Sequence, residues 1–269
     1  MSNLLVRVWD AVPAVIPCQM DNQSYSAQPM GQAQNPRPMP KHSGDYVWPV
    51  YPTYEIFIAC ASRNSLKQLT HNNAYDAEAT VCCKTSRVVF TSNRNGDLDL
   101  YTMNIDRTNV RRVTDALGYD GGAFFNSDGT KICWKASHPK TDKAISDYKS
   151  LLSRNLVQPT RLELFVANSD GTDVQEVTSN NAANFCPFFT PDGQQLIFAS
   201  NLHNPTARSP DFDLHLINID GTGLERIAFH PDFNAFPMFS PDGTKLVWGS
   251  NRNKARPGET NIFIADWHP

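Results

Sequence analysis

Four short stretches place oxygen-bearing side chains at the same point of a repeat: Tyr75-Asp76-Ala-Glu78, Tyr119-Asp120-Gly-Gly, Ala183-Asn184-Phe-Cys and Phe233-Asn234-Ala-Phe. Asp76, Asp120, Asn184 and Asn234 then form a column backed by Tyr75, Tyr119 and Phe233. Carboxylates and amides converging at one mouth suit a divalent cation or a polar ligand, because hard cations take oxygen donors. Glu78 falls in the same region and His71 near its rim, which adds general-base chemistry as a second option. A plainer reading stands beside both: Asp and Asn between strands ordinarily cap turns and bond loop backbone.

Other reaction classes find no support. The seven histidines are dispersed, with no His-Glu-x-x-His. No Gly-x-Ser-x-Gly elbow, phosphate-binding glycine loop or dinucleotide fingerprint occurs. Ser146-Asp-Tyr-Lys149 matches Ser-x-x-Lys, yet it sits on an amphipathic helical stretch without that motif's companions. The cysteines Cys18, Cys60, Cys82, Cys83, Cys133 and Cys186 show no Cys-x-x-Cys spacing, so they read chiefly as buried thiols rather than a zinc cage or a dense disulfide framework. No cofactor is expected, a divalent cation at the mouth excepted.

The elements that position the column are short strands in a repeat. An acidic or amide residue opening an apolar strand recurs at Glu55-Ile-Phe-Ile, Asp99-Leu-Tyr-Thr, Glu163-Leu-Phe-Val, Asp213-Leu-His-Leu and Asn261-Ile-Phe-Ile. The copies lie about 44 to 64 residues apart, the period of propeller blades carrying insertions. The opening acids are expected to bond neighbouring-blade backbone. Asn126-Ser-Asp-Gly, Thr190-Pro-Asp-Gly and Ser240-Pro-Asp-Gly precede three apolar strands, with Asp128, Asp192 and Asp242 as turn residues. The matching turn at Cys82-Cys-Lys-Thr has lost this chemistry and is expected to be looser. The fold class read from this is all-β: a β-propeller of four-stranded antiparallel blades, four complete plus a partial one, with one helical insertion at 137–160. Thr141 is the expected N-cap and Pro159 the stop.

Two domains of unequal character follow. Residues 1–50 are Pro-rich and largely irregular, with a candidate closing strand at 4–9; residues 51–269 form the propeller. The net charge of −3, with Lys and Arg scattered, argues against nucleic acid or an anionic membrane as partner. No run of about 18 apolar residues is present to span a bilayer. The first twenty residues make a poor secretory signal, with Arg7, Asp10 and two prolines in the apolar part.

Residues 239–252 (Phe-Ser-Pro-Asp-Gly-Thr-Lys-Leu-Val-Trp-Gly-Ser-Asn-Arg), 189–201 and 91–104 resemble the repeats of TolB-like β-propellers, and the likeness runs over about residues 54–267. The resemblance implies a bacterial, often periplasmic, typically six-bladed protein that serves as a binding platform. Some relatives of such propellers are oligogalacturonate lyases or are linked to peptidases. The chain departs from the pattern at 82–85, at Arg107 and at 61–64. The function expected is a non-enzymatic propeller that recognises a protein partner or polar ligand at the channel face. The alternatives are a carbohydrate-active lyase or hydrolase working at the mouth through Asp76, Glu78, Asp120 or His71, and a remnant of a larger propeller without activity of its own.

Overall fold

Strand-length apolar runs separated by tight turns can bury one face only against another sheet, and here they build five antiparallel blades side by side. The computed structural model describes residues 46–60, 65–159, 161–204 and 212–268, together with the backbone of the strands Ile16–Pro17 and Gln23–Gln28.

Blade 1 runs Ile16–Pro17, Gln23–Gln28, Glu55–Cys60, Ser65–Gln68; blade 2 runs Asp76–Cys82, Arg87–Ser92, Asp99–Asn104, Arg111–Arg112. Blade 3 is Tyr119–Phe125, Lys131–Ser137, Glu163–Asn168, Gln175–Glu176, and blade 4 is Asn184–Phe189, Gln195–Ser200, Asp213–Asn218, Glu225–Arg226. Blade 5 has three strands, Asn234–Phe239, Lys245–Ser250 and Asn261–Asp266. Among the described residues four complete blades and a partial one are therefore present, as the repeats imply. The candidate strand at 4–9 lies outside the described residues. In the first blade Gln23–Gln28 pairs with Glu55–Cys60 from Gln28↔Glu55 to Gln23↔Cys60. Its sequence, Gln-Ser-Tyr-Ser-Ala-Gln, is too polar to announce a strand.

The core lies between blades. Val89 and Leu100 of blade 2 pack on Ala123, Ile132 and Trp134 of blade 3, and Cys133, Leu164 and Val166 pack on Phe189, Leu196 and Phe198 of blade 4. Turn chemistry fixes the hairpins. Asp128 accepts from the Thr130 hydroxyl at 2.5 Å and its amide at 2.8 Å, and Asp242 from the Ser240 hydroxyl at 2.5 Å and the Thr244 amide at 3.1 Å, which holds both carboxyls below the usual range, Asp242 at about 2. The turn after Cys82 closes without an aspartate, through Ser86 N–H to the Cys82 carbonyl at 2.9 Å. Cys82, Cys133 and Cys186 are free thiols; Cys83, unlike that reading of the cysteines, is disulfide-bonded.

The helical insertion is one helix, Asp142–Leu152, capped by Thr141 accepting from the Ala144 amide at 3.2 Å. It ends at Leu152, before Pro159, with Ser153 as its C-cap. Buried Tyr148 anchors it, its one hydroxyl hydrogen shared within reach of Asp97 and the Gly118 carbonyl.

Candidate functional site

The first strand of each blade from the second onward breaks register near its start, a bulge at Ala77/Thr80, Gly121/Phe124, Phe185/Phe188 and Ala235/Met238. The residue at each bulge is left-handed: Glu78 at φ 53°, Gly122 at 62°, Cys186 at 53° and Phe236 at 58°. A bulge bends its strand and re-aims one side chain. Here the bulges of three neighbouring blades face one cation, Lys135.

Lys135 belongs to the second strand of blade 3, paired with Gly121. The matching positions hold small residues, Thr91, Ala199 and Gly249, each directly after the aromatic Phe90, Phe198 or Trp248. Two glycines make room for the long side chain. A Cβ on Gly122 would collide with Lys135 Nζ, and one on Gly121 with Glu78 Oε2 and the Tyr119 hydroxyl. The ammonium lies 3.4 Å from Glu78 Oε1, its side chain only 7% exposed, and within 5.4 Å and 5.9 Å of the Tyr119 and Trp48 ring centres. Glu78 accepts further bonds from Tyr119 at 2.8 Å and from Thr91 at 3.0 Å. Burial and then the Glu78 charge push both Tyr75 and Tyr119 well above the ordinary phenol value, so both stay neutral donors. Burial also pushes the Cys186 thiol up to about 11, although Lys135 nearby works the other way. This arrangement can hold a polar group between carboxylate, ammonium and phenol.

Above it lies an aromatic strap. Trp48–Pro49 pairs with Leu156–Val157 behind the helix, and the Val50 amide donates to the Asn155 carbonyl at 2.8 Å. Trp48 thereby packs on Tyr119 and Phe185, with ring centres 6.2 Å and 5.8 Å away, and Tyr51, Tyr54 and Tyr75 stack beside it. Tyr46 continues the strap into solvent, 63% exposed, edge-on to Trp48.

The Asp/Asn column lies one step behind this cluster. Asp76, Asp120, Asn184 and Asn234 are all fully buried, and each is bonded within the protein. Asn184 donates to Glu163 at 3.1 Å and to the Leu162 carbonyl at 2.8 Å; Asn234 donates to Asp213 at 2.9 Å. Each amide thus ties its blade to the strand-opening acid of the blade before. In blades 2 and 3 the residue is Asp, which cannot donate when ionised, and another donor steps in. Arg94 and Asn72 serve Asp76 at 2.9 Å and 2.6 Å; Trp134 and His138 serve Asp120 at 2.6 Å and 3.2 Å. Burial lowers the His138 pKa, but the bond to Asp120 and its charge outweigh that and raise it overall. Asp99, beside Asp97 and Asp120, is pushed by burial up to about 6, with Arg112 only partly offsetting this.

Of the residues picked from the sequence, the structure brings Glu78 and Tyr119 into direct contact, with Tyr75 in the same core. Asp76, Asp120, Asn184 and Asn234 sit at the blade junctions. His71 is exposed in the loop joining blades 1 and 2, next to Asn72, whose amide donates to Glu55 at 2.8 Å. Lys135 and Trp48 were missed. The signal for Lys135 was a charged residue where the other repeats carry a small one, facing a Gly-Gly pair. Among the described residues no group of three or more His, Cys, Asp or Glu is placed to hold a metal ion, and no helix is long and apolar enough to cross a membrane.

No protein-family model matches the chain. A TolB homolog from Chlorobium chlorochromatii is 27% identical over 165 residues, covering 52% of this chain and 38% of that protein. The crystal structure of TolB from Acinetobacter baumannii superposes with a TM-score of 0.61 at 17% identity, covering 81% of this chain and 47% of that one. A putative TolB from Agrobacterium tumefaciens gives a TM-score of 0.56 at 14% identity, covering 92% and 72%. The chain thus spans less than half the length of the first two relatives, and the structural likenesses carry the fold alone.

Proposed function

We propose, from the premise that this chain is a TolB-like β-propeller, that it is a non-enzymatic scaffold recognising a protein partner or polar ligand at its channel face. The observation that carries this reading is the strap. The polar groups beneath it are engaged by one another, whereas Tyr46 and Trp48 present aromatic surface across the mouth. Tyrosine and tryptophan at a rim supply contact area at low entropic cost, and they dominate recognition surfaces. Fold alone assigns no function, so the reading rests on this site. The disulfide at Cys83 supports an oxidising compartment, the periplasm in a bacterium.

Photo-crosslinking tests it. A benzoylphenylalanine replacing Tyr46 is expected to give one discrete adduct with a protein in producing cells, weakened by Trp48→Ala, while the same probe at exposed Glu225 on the outer rim gives none. Equal adducts at both positions, or none at 46 together with no thermal shift from acidic oligosaccharides or divalent cations, would sink it. A carbohydrate-active lyase or hydrolase would rest on Glu78, the one carboxylate among the sequence candidates that is both in the channel cluster and partly exposed, at 21%. Turnover of a polyuronide by the purified chain, abolished by Glu78→Gln, would move the reading there.

A further inference from the structure

The tip joining the second and third strands of blade 2 reads Ser92-Asn93-Arg94-Asn95-Gly96-Asp97, and the matching tip of blade 5 reads Ser250-Asn251-Arg252-Asn253-Lys254. Asn95-Gly96 is the only Asn-Gly step in the sequence. Both residues are exposed, and Gly96, at φ 90°, has no atom beyond its chain neighbours within 4 Å of where a Cβ would stand. The Gly96 amide makes a turn bond to the Asn93 carbonyl at 2.9 Å. Short exposed turns of this kind open locally at little cost. Asn253 is exposed as well, but the residue after it carries a full side chain, Lys254, whose ammonium reaches Asp232 at 3.3 Å.

We propose that Asn95 is a site of spontaneous deamidation, and that its conversion to isoaspartate undocks the insertion helix. The Gly96 nitrogen gives up its proton to water and attacks Asn95 Cγ. The new N–C bond closes a five-membered succinimide, the Cγ–Nδ2 bond breaks, and the nitrogen takes up a proton and leaves as ammonia. Glycine favours this closure because it has no side chain to crowd the attacking nitrogen. One water then opens the ring. Opening at the side-chain carbonyl gives aspartate; opening at the main-chain carbonyl gives isoaspartate, in which the backbone runs through Cβ and Cγ and is one carbon longer.

That carbon enters just ahead of the residue on which the helix is moored. Asp97 takes a share of the Tyr148 hydroxyl hydrogen and accepts from the Gly118 amide at 3.0 Å and the Leu98 amide at 2.9 Å. The chain is fixed on both sides of the turn. Upstream, Arg94 donates to Asp76 at 2.9 Å; downstream, Leu98 is fully buried and its carbonyl accepts from the Asp120 amide at 2.8 Å. The extra length therefore displaces Asp97. The helix Asp142–Leu152 leads into Leu156–Val157, which pairs with Trp48–Pro49. Ageing at Asn95 thereby loosens Trp48 at the mouth, whatever the mouth recognises.

The test keeps the full chain for several days in warm buffer at pH 8 and maps its peptides by mass spectrometry, with fragmentation that separates isoaspartate from aspartate. Asn95 is expected to lose ammonia, gain water and appear mainly as isoaspartate, while Asn253 stays intact. Trypsin then reads the helix. Native-state cleavage at Lys149 and Arg154 is expected to quicken at least about threefold in the aged protein. Aged Asn95→Gln, whose longer side chain closes the ring far more slowly, should show no such change. Fresh Asn95→Asp, which carries the new charge without the added carbon, should be cleaved like fresh wild type. An unmodified Asn95, or equal conversion at Asn253, would overturn the site. Isoaspartate at 95 with unchanged cleavage, or fast cleavage of fresh Asn95→Asp, would overturn the undocking.

Discussion

Lys135 and Glu78 bind blade 3 to blade 2 through an ion pair at 3.4 Å whose ammonium is almost wholly removed from water. A buried pair of this kind contributes little net stability against an apolar substitute, but losing one member leaves a charge without compensation. Glu78→Ala is therefore expected to cost about 3 to 5 kcal/mol in urea unfolding. The double variant Glu78→Ala with Lys135→Ala should be clearly more stable than Glu78→Ala alone, because Ala199 already fills the matching place in blade 4. Additive losses would show that the pair is not coupled.

Gly122 combines a left-handed backbone with contact against Lys135 Nζ. Gly122→Ala is expected to destabilise by about 2 kcal/mol, part from the backbone and part from the displaced ammonium. Adding Lys135→Ala should recover the second part. A melting point unchanged by that addition would rule out the collision.

The choice between Asp and Asn at the blade junctions is an electrostatic one. Asn184→Asp would set a second carboxylate against Glu163 and remove the amide that donates to it. The expected loss is about 2 to 3 kcal/mol at pH 7. Asp76→Asn, which keeps the Asn72 and Arg94 neighbours, should cost about 1 kcal/mol. Equal losses from the two would contradict the donor argument.

Asp99 titrates in the folded state at about 6 against 3.8 for an unperturbed carboxyl, chiefly through burial. The folded form therefore holds its proton more tightly than the unfolded chain. Stability falls as pH rises from about 4 to 6 and stays lower above that. Asp99→Asn, the amide found at the matching Asn261, is expected to gain on the order of 2 kcal/mol at pH 7 and nothing near pH 4. Melting curves from pH 4 to 8 would show it; a wild-type profile and a variant profile that run parallel would refute it.

The architecture was readable because turns and strand-opening acids recur in step with the blades, so period alone gives the count. Gln23–Gln28 escaped because a polar strand at a blade's inner side lacks the alternation that marks the others. At the channel, Glu78 was legible as a carboxylate two residues after Asp76, but nothing in the spacing shows that Asp76 and Asn184 bond along the blade junction. Sequence position cannot tell a side chain aimed into the channel from one aimed along the junction when a bulge of one residue separates them. Lys135 was hidden inside an apolar strand. Trp48 was invisible as part of the site, since only the helix insertion holds it there.

The left-handed bulge has a consequence for how such a channel changes over time. Glu, Gly, Cys and Phe all occupy it, three of them against the ordinary preference of L-residues, so the kink is imposed by the sheet and not by the residue displayed. The displayed position is thus a socket, one in each of blades 2 to 5, while the bonds at the blade junctions behind it are the mortar. Substitutions in the sockets rewrite what the channel offers and leave those ties unbroken, although Glu78 and Gly122 also carry stability through Lys135. A lineage of these propellers can exchange one ligand chemistry for another a blade at a time and inherit its frame intact.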